Sequence, residues 1–321
     1  MPYDAPTRER IEAAAALVHG AIGASPQISW PLLSQRIGAE TWVKHENHLP
    51  TGAFKVRGGL TYVAHLRREQ PGVRGVIAAT RGNHGQSIAF AARQYGLPCV
   101  IVVPHGNSRS KNAAMRAYGA ELIEIGHDFQ AAYEATQAIA EERGLHFVRS
   151  FHPWLMDGVA TYGWELMRAA PDLHTIYVPI GLGSGICATI QARDALGLKA
   201  EIVGVVAENA AAYALSFEAG KPVATSSADT IADGVACRVP VEDALRIIRG
   251  GAARVIRVGE DEIRSAMRAH FADTHNVAEG AGATPLAAAL KDTERKPGKV
   301  GLILSGGNVD SDTYAGVLGE R

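Results

Sequence analysis

Short runs of apolar, largely β-branched residues recur along the chain, and between them the apolar positions change to a helical period. The runs predict strands at Thr41–Lys44, Val76–Ala79, Cys99–Val103, Glu121–Ile125, Ile176–Ile180, Ile202–Val206, Val255–Val258 and Val300–Leu304. An Ala-rich amphipathic stretch from about Thr7 to Val18, carrying Ile11, Leu17 and Val18, predicts a helix ahead of them. Strands alternating with helices imply an α/β fold with mostly parallel sheets. The runs are almost wholly apolar instead of alternating with polar residues, which fits strands covered by helices on both faces.

Gly, Pro and Asn collect directly after several of these strands. The segments are Leu49-Pro50-Thr51-Gly52, Arg81-Gly82-Asn83-His84-Gly85, Pro104-His105-Gly106-Asn107, Gly181 to Gly185, and Ser305-Gly306-Gly307-Asn308. Ligands of open parallel sheets bind beyond the carboxyl ends of the strands, so a site is expected among these loops.

Composition narrows the class. With 47% apolar residues and a formal net charge of -1 over 321 residues, the chain reads as globular, in one or two domains. No basic block recommends a nucleic-acid partner, and no apolar run approaches the roughly 20 residues that span a bilayer. The start, Met1 to Arg10, mixes acidic and basic residues and resembles neither a signal nor a transit peptide, so a cytoplasmic location is expected. Cys99, Cys187 and Cys237 are far apart, and the histidines lack the spacing of a zinc pair; no zinc is expected.

Two local patterns carry chemistry. Lys55 stands just after a Pro/Gly loop and opens an amphipathic segment, so its amine faces the partial positive charge of a helix N-terminus; neutralising the amine would relieve that conflict. Gly181-Leu182-Gly183-Ser184-Gly185 lies between a predicted strand and a predicted helix, where closely spaced N–H groups make an anion nest. A phosphate suits that nest. The same GxGxG, with Glu208 ending the next strand, also matches part of a dinucleotide fingerprint and leaves an NAD-dependent oxidoreductase as a remote alternative.

Four motifs follow one another in order: Ala53-Phe54-Lys55-Val56-Arg57-Gly58, Gly82-Asn83-His84-Gly85-Gln86, Thr230-Ile231-Ala232-Asp233-Gly234 and Ser305-Gly306-Gly307-Asn308-Val309-Asp310. Together they resemble the fold-type II pyridoxal-phosphate enzymes, tryptophan synthase β-like in fold, and within them the serine/threonine dehydratase (ammonia-lyase) and serine racemase group. The resemblance covers nearly the whole chain. It implies a large domain from residues 1–48 plus 146–321, a small domain from 49–145, a site at their junction, and a homodimer. It implies pyridoxal 5'-phosphate as cofactor, with Lys55 as the Schiff-base lysine that also removes the substrate Cα proton. Phe54 packs on the cofactor ring, Asn83 reaches its 3-oxygen, Gly181 to Gly185 hold its phosphate, and Ser305 meets its pyridine nitrogen. Thr80, Arg81, Gly82, Asn83 and His84 grip the substrate carboxylate. The implied reaction converts a β-hydroxy amino acid (threonine, serine or a bulkier analogue such as phenylserine) to a 2-oxo acid and ammonia. Another β-elimination or β-replacement, or a racemisation, is the alternative on the same scaffold. A non-catalytic amino-acid binder has no need of the Lys55 amine.

The chain departs from the group's pattern in four places. Arg81 stands where racemases have a serine base, and an arginine that stays protonated cannot replace it. Ala214 stands where an Asp would accompany Glu208 in the group's divalent-cation site, so no metal is expected. Leu182 and Ser184 replace glycines, and the Ser184 hydroxyl is available to the phosphate. The run Trp154 to Thr161 is shorter than usual, which either admits a larger β-substituent or is neutral loop variation. The chain ends soon after the last motif, so the regulatory domain of biosynthetic threonine dehydratases and its isoleucine feedback are not expected.

Overall fold

The computed structural model describes residues 6–127 and 129–320; the opening residues 1–5, part of the polar start considered above, and the terminal Arg321 lie outside them. The elements run α1 (Arg8–Ile22), β1 (Gln27–Ser29), α2 (Pro31–Ile37), β2 (Thr41–His45), α3 (Lys55–Glu69), β3 (Val76–Ala79), α4 (Asn83–Gln94), β4 (Cys99–Val103), α5 (Arg109–Ala117), β5 (Glu121–Glu124), α6 (Phe129–Arg143) and β6 (His146–Phe147). They continue with α7 (Pro153–Ala169), β7 (Leu173–Pro179), α8 (Ser184–Ala195), β8 (Glu201–Ala207), α9 (Ala212–Ala219), α10 (Glu242–Gly251), β9 (Arg254–Val258), α11 (Glu260–Thr274), α12 (Gly280–Lys291), β10 (Lys299–Leu304) and α13 (Ser311–Gly319).

Two sheets form. One has six strands in the order β1-β2-β10-β7-β8-β9, parallel except for the antiparallel β1 edge; the other has four parallel strands in the order β5-β4-β3-β6. The mixed α/β fold with parallel sheets agrees with the sequence pattern. Its apolar runs are explained by two-sided burial: in β8, Ile202 and Val206 feed a core with Met156 and Ile186, while Val203 and Val205 feed the opposite core with Met267 and Leu286. In β4, Ile101 and Val103 face one core and Val100 and Val102 the other. Successive side chains of a strand point to opposite faces, so a strand with helices on both sides must be apolar throughout.

All eight expected strands are present, with ends shifted by up to three residues. Two more, β1 and β6, are edge strands of three and two residues, too short to show a period. β6 pairs with β3, so the four-stranded sheet draws on the chain as far as Phe147. Helix α4 begins at Asn83, so the Asn83, His84 and Gly85 of the expected loop lie in its first turn. The run Trp154 to Thr161, expected as a loop wall, is the start of α7, and Trp154 stacks on His65 with ring centroids 5.4 Å apart. No helix among the described residues is long and apolar enough to cross a membrane.

The sheet order fixes where a site forms. β2, β10 and β7 are hydrogen-bonded neighbours running parallel, so the loops after them emerge side by side. The segment after β2 leads to Lys55, the one after β10 begins at Ser305, and the one after β7 holds Gly181 to Gly185.

Candidate active site

Lys55 is the first residue of α3, and the loop before it is fastened to the tail of β10. Ala53 and Gly306 form an isolated antiparallel bridge, the Phe54 N–H donates to the Ser305 carbonyl at 3.0 Å, and the Gly307 N–H donates to the Gly52 carbonyl at 2.9 Å. The helix behind Lys55 is pressed against α7, where a Cβ at Gly58 would come within 2.7 Å of the Leu155 carbonyl oxygen. Only glycine permits that approach.

Arg57, one turn into α3, anchors the helix to a sealed polar cluster. Its guanidinium pairs with Glu46 at 2.6 Å and Glu165 at 2.5 Å and donates to Thr161 at 2.8 Å and Ser25 at 3.1 Å. Lys44 reaches Glu165 at 2.5 Å, and the side chains of Arg57, Glu46 and Lys44 are wholly buried. Burial alone would raise the Glu165 pKa; its bonds to Arg57 and then Lys44 overcome this and hold it at about 2.

The half-buried Lys55 amine has its pKa lowered to about 8 by desolvation. It donates to Ser184 Oγ at 3.0 Å and lies 4.9 Å from the centre of the Phe54 ring. Burial thus gives this amine a neutral fraction near physiological pH that an exposed lysine lacks. Phe54 stands edge-on to Tyr162 at 5.8 Å, and the Tyr162 hydroxyl donates to the Gly185 carbonyl at 2.7 Å.

Gly183 caps α8 at φ 99°, a left-handed conformation that a side chain would strain. This turn sets Ser184 and Gly185 in the first helical turn, where N–H groups lack helical partners and no acidic side chain occupies them. A Cβ at Gly185 would stand 3.2 Å from the Tyr162 hydroxyl and 3.7 Å from Phe54 Cζ, so the absence of a side chain leaves room beside Lys55. Leu182 turns away: it packs against the core, and its carbonyl accepts from Tyr213 at 2.9 Å.

Across from these residues, the loop after β3 is braced by Thr80, whose Oγ1 accepts from the Gly82 N–H at 2.9 Å and the Gly85 N–H at 3.3 Å. Asn83 opens α4; its Nδ2 donates to Glu279 Oε1 at 2.7 Å and its Oδ1 accepts from Asn308 Nδ2 at 2.8 Å. His84 is buried and stays neutral at physiological pH, its pKa pushed down to about 3 by desolvation and by the nearby Lys55 charge; its Nε2 has no hydrogen-bond partner among the described residues. Ser305 is buried at the end of β10.

The expected residues are therefore not all alike. Phe54, Lys55, Ser184, Gly185 and Ser305 are linked by direct contacts, and Asn83 joins the loop after β10 through Asn308. Arg81 points outward, 51% exposed at its side chain, with its guanidinium 3.4 Å from Asp233.

Lys111, Glu279, Tyr162 and Asn308 received no role from sequence. The Lys111 amine lies 3.6 Å from Asp233 and 3.9 Å from Glu279, and its stem covers Gly82. Glu279 is buried at the head of α12, and desolvation raises its pKa. The one available signal was a single acidic residue in the small-residue run Ala278-Glu279-Gly280-Ala281-Gly282. Among the described residues no group of three or more His, Cys, Asp or Glu is arranged to hold a metal ion, and Ala214 is buried in α9.

The residues fit a phosphate-bearing aldehyde: unpartnered helix-head N–H groups beside a glycine turn, a partly neutral primary amine, an aromatic face and a buried hydroxyl lie together. Residues 18–306 match the model of the pyridoxal-phosphate dependent enzyme family. L-threonine ammonia-lyase of Thermotoga maritima is 36% identical over 280 residues, covering 87% of this chain and 70% of that protein. L-threonine ammonia-lyase of Geobacter sulfurreducens is 38% identical over 287 residues, covering 89% of this chain and 71% of that protein. Among solved structures, maize serine racemase superposes with a TM-score of 0.92 at 29% identity, over 98% of this chain and 97% of that one. The processed form of threonine deaminase isoform 2 from Solanum lycopersicum superposes with a TM-score of 0.90 at 27% identity, over 100% of this chain and 96% of that one.

Proposed function

The chain belongs to the pyridoxal-phosphate dependent enzyme family, and from that premise we propose that it removes water from a small β-hydroxy amino acid, threonine or serine first, to give a 2-oxo acid and ammonia. It is a pyridoxal-phosphate-dependent lyase of the amino acid dehydratase kind. The observation that carries the catalytic reading is the Lys55 amine, its Nζ 3.0 Å from Ser184 at the head of α8 and its pKa lowered to about 8, while the choice of threonine or serine is supported by the similarity to the L-threonine ammonia-lyases.

Lys55 is the residue that would hold the cofactor aldehyde and whose amine would serve as the base toward the substrate Cα proton. An amine lowered to about 8 has a sizeable neutral fraction near physiological pH, which an ordinary lysine lacks. When bound, pyridoxal phosphate supplies an electron sink for the bond broken at Cα. Gly181, Gly183, Ser184 and Gly185 hold the phosphate at the N-terminus of α8, with Leu182 contributing backbone alone. Ser184 Oγ orients the Lys55 amine. Phe54 would flank the ring, Ser305 would offer a neutral hydroxyl to the ring nitrogen, and Asn83 would donate to the 3-oxygen. Thr80, Gly82, Asn83 and His84 form the turn at the head of α4 that receives the substrate carboxylate. Arg81 leaves that turn for Asp233 and supplies no base on the face opposite Lys55, which supports elimination over racemisation.

The same reading assigns the four-stranded sheet to a small domain, residues 49–145 with β6 added to its edge, and the six-stranded sheet to a large one. It takes the enzyme as a cytoplasmic homodimer, which light scattering of the purified protein tests. Phenylserine belongs in the assay; with Trp154 held against His65 in α7, the run near it gives no support to a wider pocket.

The test is an absorbance spectrum of the protein with pyridoxal phosphate before and after borohydride, followed by a 2-oxo acid assay across threonine, serine, hydroxyaspartate and phenylserine. A visible band that borohydride removes and Lys55→Ala lacks, with oxo acid formed fastest from threonine or serine, is the expected result. A normal band without oxo acid from any substrate overturns the dehydratase reading and keeps the cofactor. Lys55→Ala should retain its circular dichroism while losing the band and all activity.

A further inference from the structure

Asn83 is an amide with two chemically different ends, and both ends are engaged by partners of fixed character. Its oxygen accepts from Asn308 Nδ2 at 2.8 Å, and its nitrogen donates to Glu279 Oε1 at 2.7 Å. Asn308 Nδ2 also donates to the Thr51 carbonyl at 2.8 Å, so that amide group is itself oriented as a donor. Turning the Asn83 amide over would set its oxygen against the Glu279 carboxylate and its nitrogen against the Asn308 nitrogen, two like-with-like contacts in a largely buried setting.

An amide nitrogen carries two hydrogens, and Glu279 takes one. The second remains for a ligand, so Asn83 can offer the site a donor and not an acceptor. We infer that Glu279 and Asn308 are positioning residues for the cofactor: together they fix the Asn83 amide so that it presents an N–H to an oxygen of the bound group. The inference rests on the reading of Asn83 as a cofactor contact.

Lys111 belongs to the same device. Its amine lies 3.9 Å from Glu279 Oε2, on the oxygen that Asn83 does not use, and 3.6 Å from Asp233, which Arg81 approaches at 3.4 Å. Protonation of Glu279 on Oε1 would replace an acceptor by a donor and undo the orientation. A cation beside Oε2 opposes that protonation, against the burial that favours it. Four side chains, from the loop after β3, the segment between α9 and α10, helix α5 and the head of α12, thus lead from the exposed Arg81 to the Asn83 amide.

The test is a double-mutant cycle on holoenzyme, read as the dissociation constant of pyridoxal phosphate and as the pH titration of the bound cofactor's absorbance. Glu279→Ala and Asn83→Ala should each weaken cofactor binding about tenfold, the scale of one hydrogen bond to a charged group. The double variant should be no weaker than Asn83→Ala alone, because Glu279 acts through Asn83. Glu279→Gln keeps an acceptor oxygen and should restore most of the affinity and the wild-type titration. Thermal unfolding of each variant separates a folding defect from a binding one; if Glu279→Ala does not fold, Asn308→Ala runs the same cycle. Additive losses in the double variant, a Glu279→Gln as impaired as Glu279→Ala, or unchanged binding in either alanine variant would each overturn the inference. Wild-type protein without a borohydride-sensitive band would instead overturn the cofactor reading beneath it.

Discussion

Two charged clusters flank Lys55, and they are built to different standards. Behind it, Arg57, Glu46, Lys44 and Glu165 are joined by ion pairs of 2.5 to 2.6 Å, with the first three side chains wholly buried. In front, Arg81, Asp233, Lys111 and Glu279 are spaced at 3.4, 3.6 and 3.9 Å, and exposure falls from 51% at Arg81 to 7% at Glu279. The two glutamates show what this spacing does. Glu165 has two cations in direct hydrogen bonds and is held at about 2, whereas Glu279, with Lys111 at 3.9 Å and the Asn83 amide as its hydrogen-bond donor, is pushed up by desolvation. Close pairing makes a rigid strut. Loose pairing leaves a charge that still responds to its surroundings, which suits a site that must receive a ligand.

The strongest way to break this contrast is to remove the centre of the rear cluster. Arg57→Met leaves the buried Glu46 without an ion-pair partner and Glu165 with only Lys44 and His19, and should cost about 3–5 kcal/mol of stability in urea unfolding. A loss below about 1 kcal/mol would mean the rear cluster is no more structural than the front one.

Acid titration separates the two glutamates by sign. Glu165 falls from 4.5 to about 2 on folding, so its contribution is complete above about pH 4.5 and is lost as pH drops toward 2. Glu279 is raised on folding, so it favours the folded state below its unfolded value and withdraws that support as pH rises through the window above 4.5. Unfolding followed from pH 7 to pH 3 should show Glu165→Gln with a flatter acid limb than wild type. Glu279→Gln should show a steeper one. Equal slopes in the two variants would contradict the assignment of opposite shifts.

The smallest effect is expected at the exposed end of the front cluster. Arg81→Ala should change stability by less than about 1 kcal/mol, as exposed ion pairs do. It should leave the cofactor spectrum unaltered, and a steady-state assay should place any change in KM and not in kcat.

Much of this was legible in sequence because it followed from local chemistry. Strands buried on both faces must be apolar, and an anion nest must be glycine-rich, so β3, β4, β7, β8 and β10 and the Gly181 to Gly185 turn announced themselves. Lys55 was readable from its motif. What escaped depends on partners distant in the chain: Glu279 meets Asn83 across 196 positions, and Asn308 meets it across 225. Lys111 lies in a polar helix start that has the composition of a surface segment, yet it is buried over Gly82. β1 and β6 exist because a neighbouring strand offers hydrogen bonds to two or three residues, which leaves no periodic trace.

The bridge between Ala53 and Gly306 gives the reactive lysine an unusual kind of address. α3 lies with the helices of the four-stranded sheet, packed on α4, but the residues that lead into it, Gly52 to Phe54, are stitched to the end of β10 in the other sheet. Three main-chain contacts hold the residues just before Lys55 to Ser305, Gly306 and Gly307, while the approach of Arg81 to Asp233 is made by side chains. The root of the site is thus held by backbone and its rim by side chains.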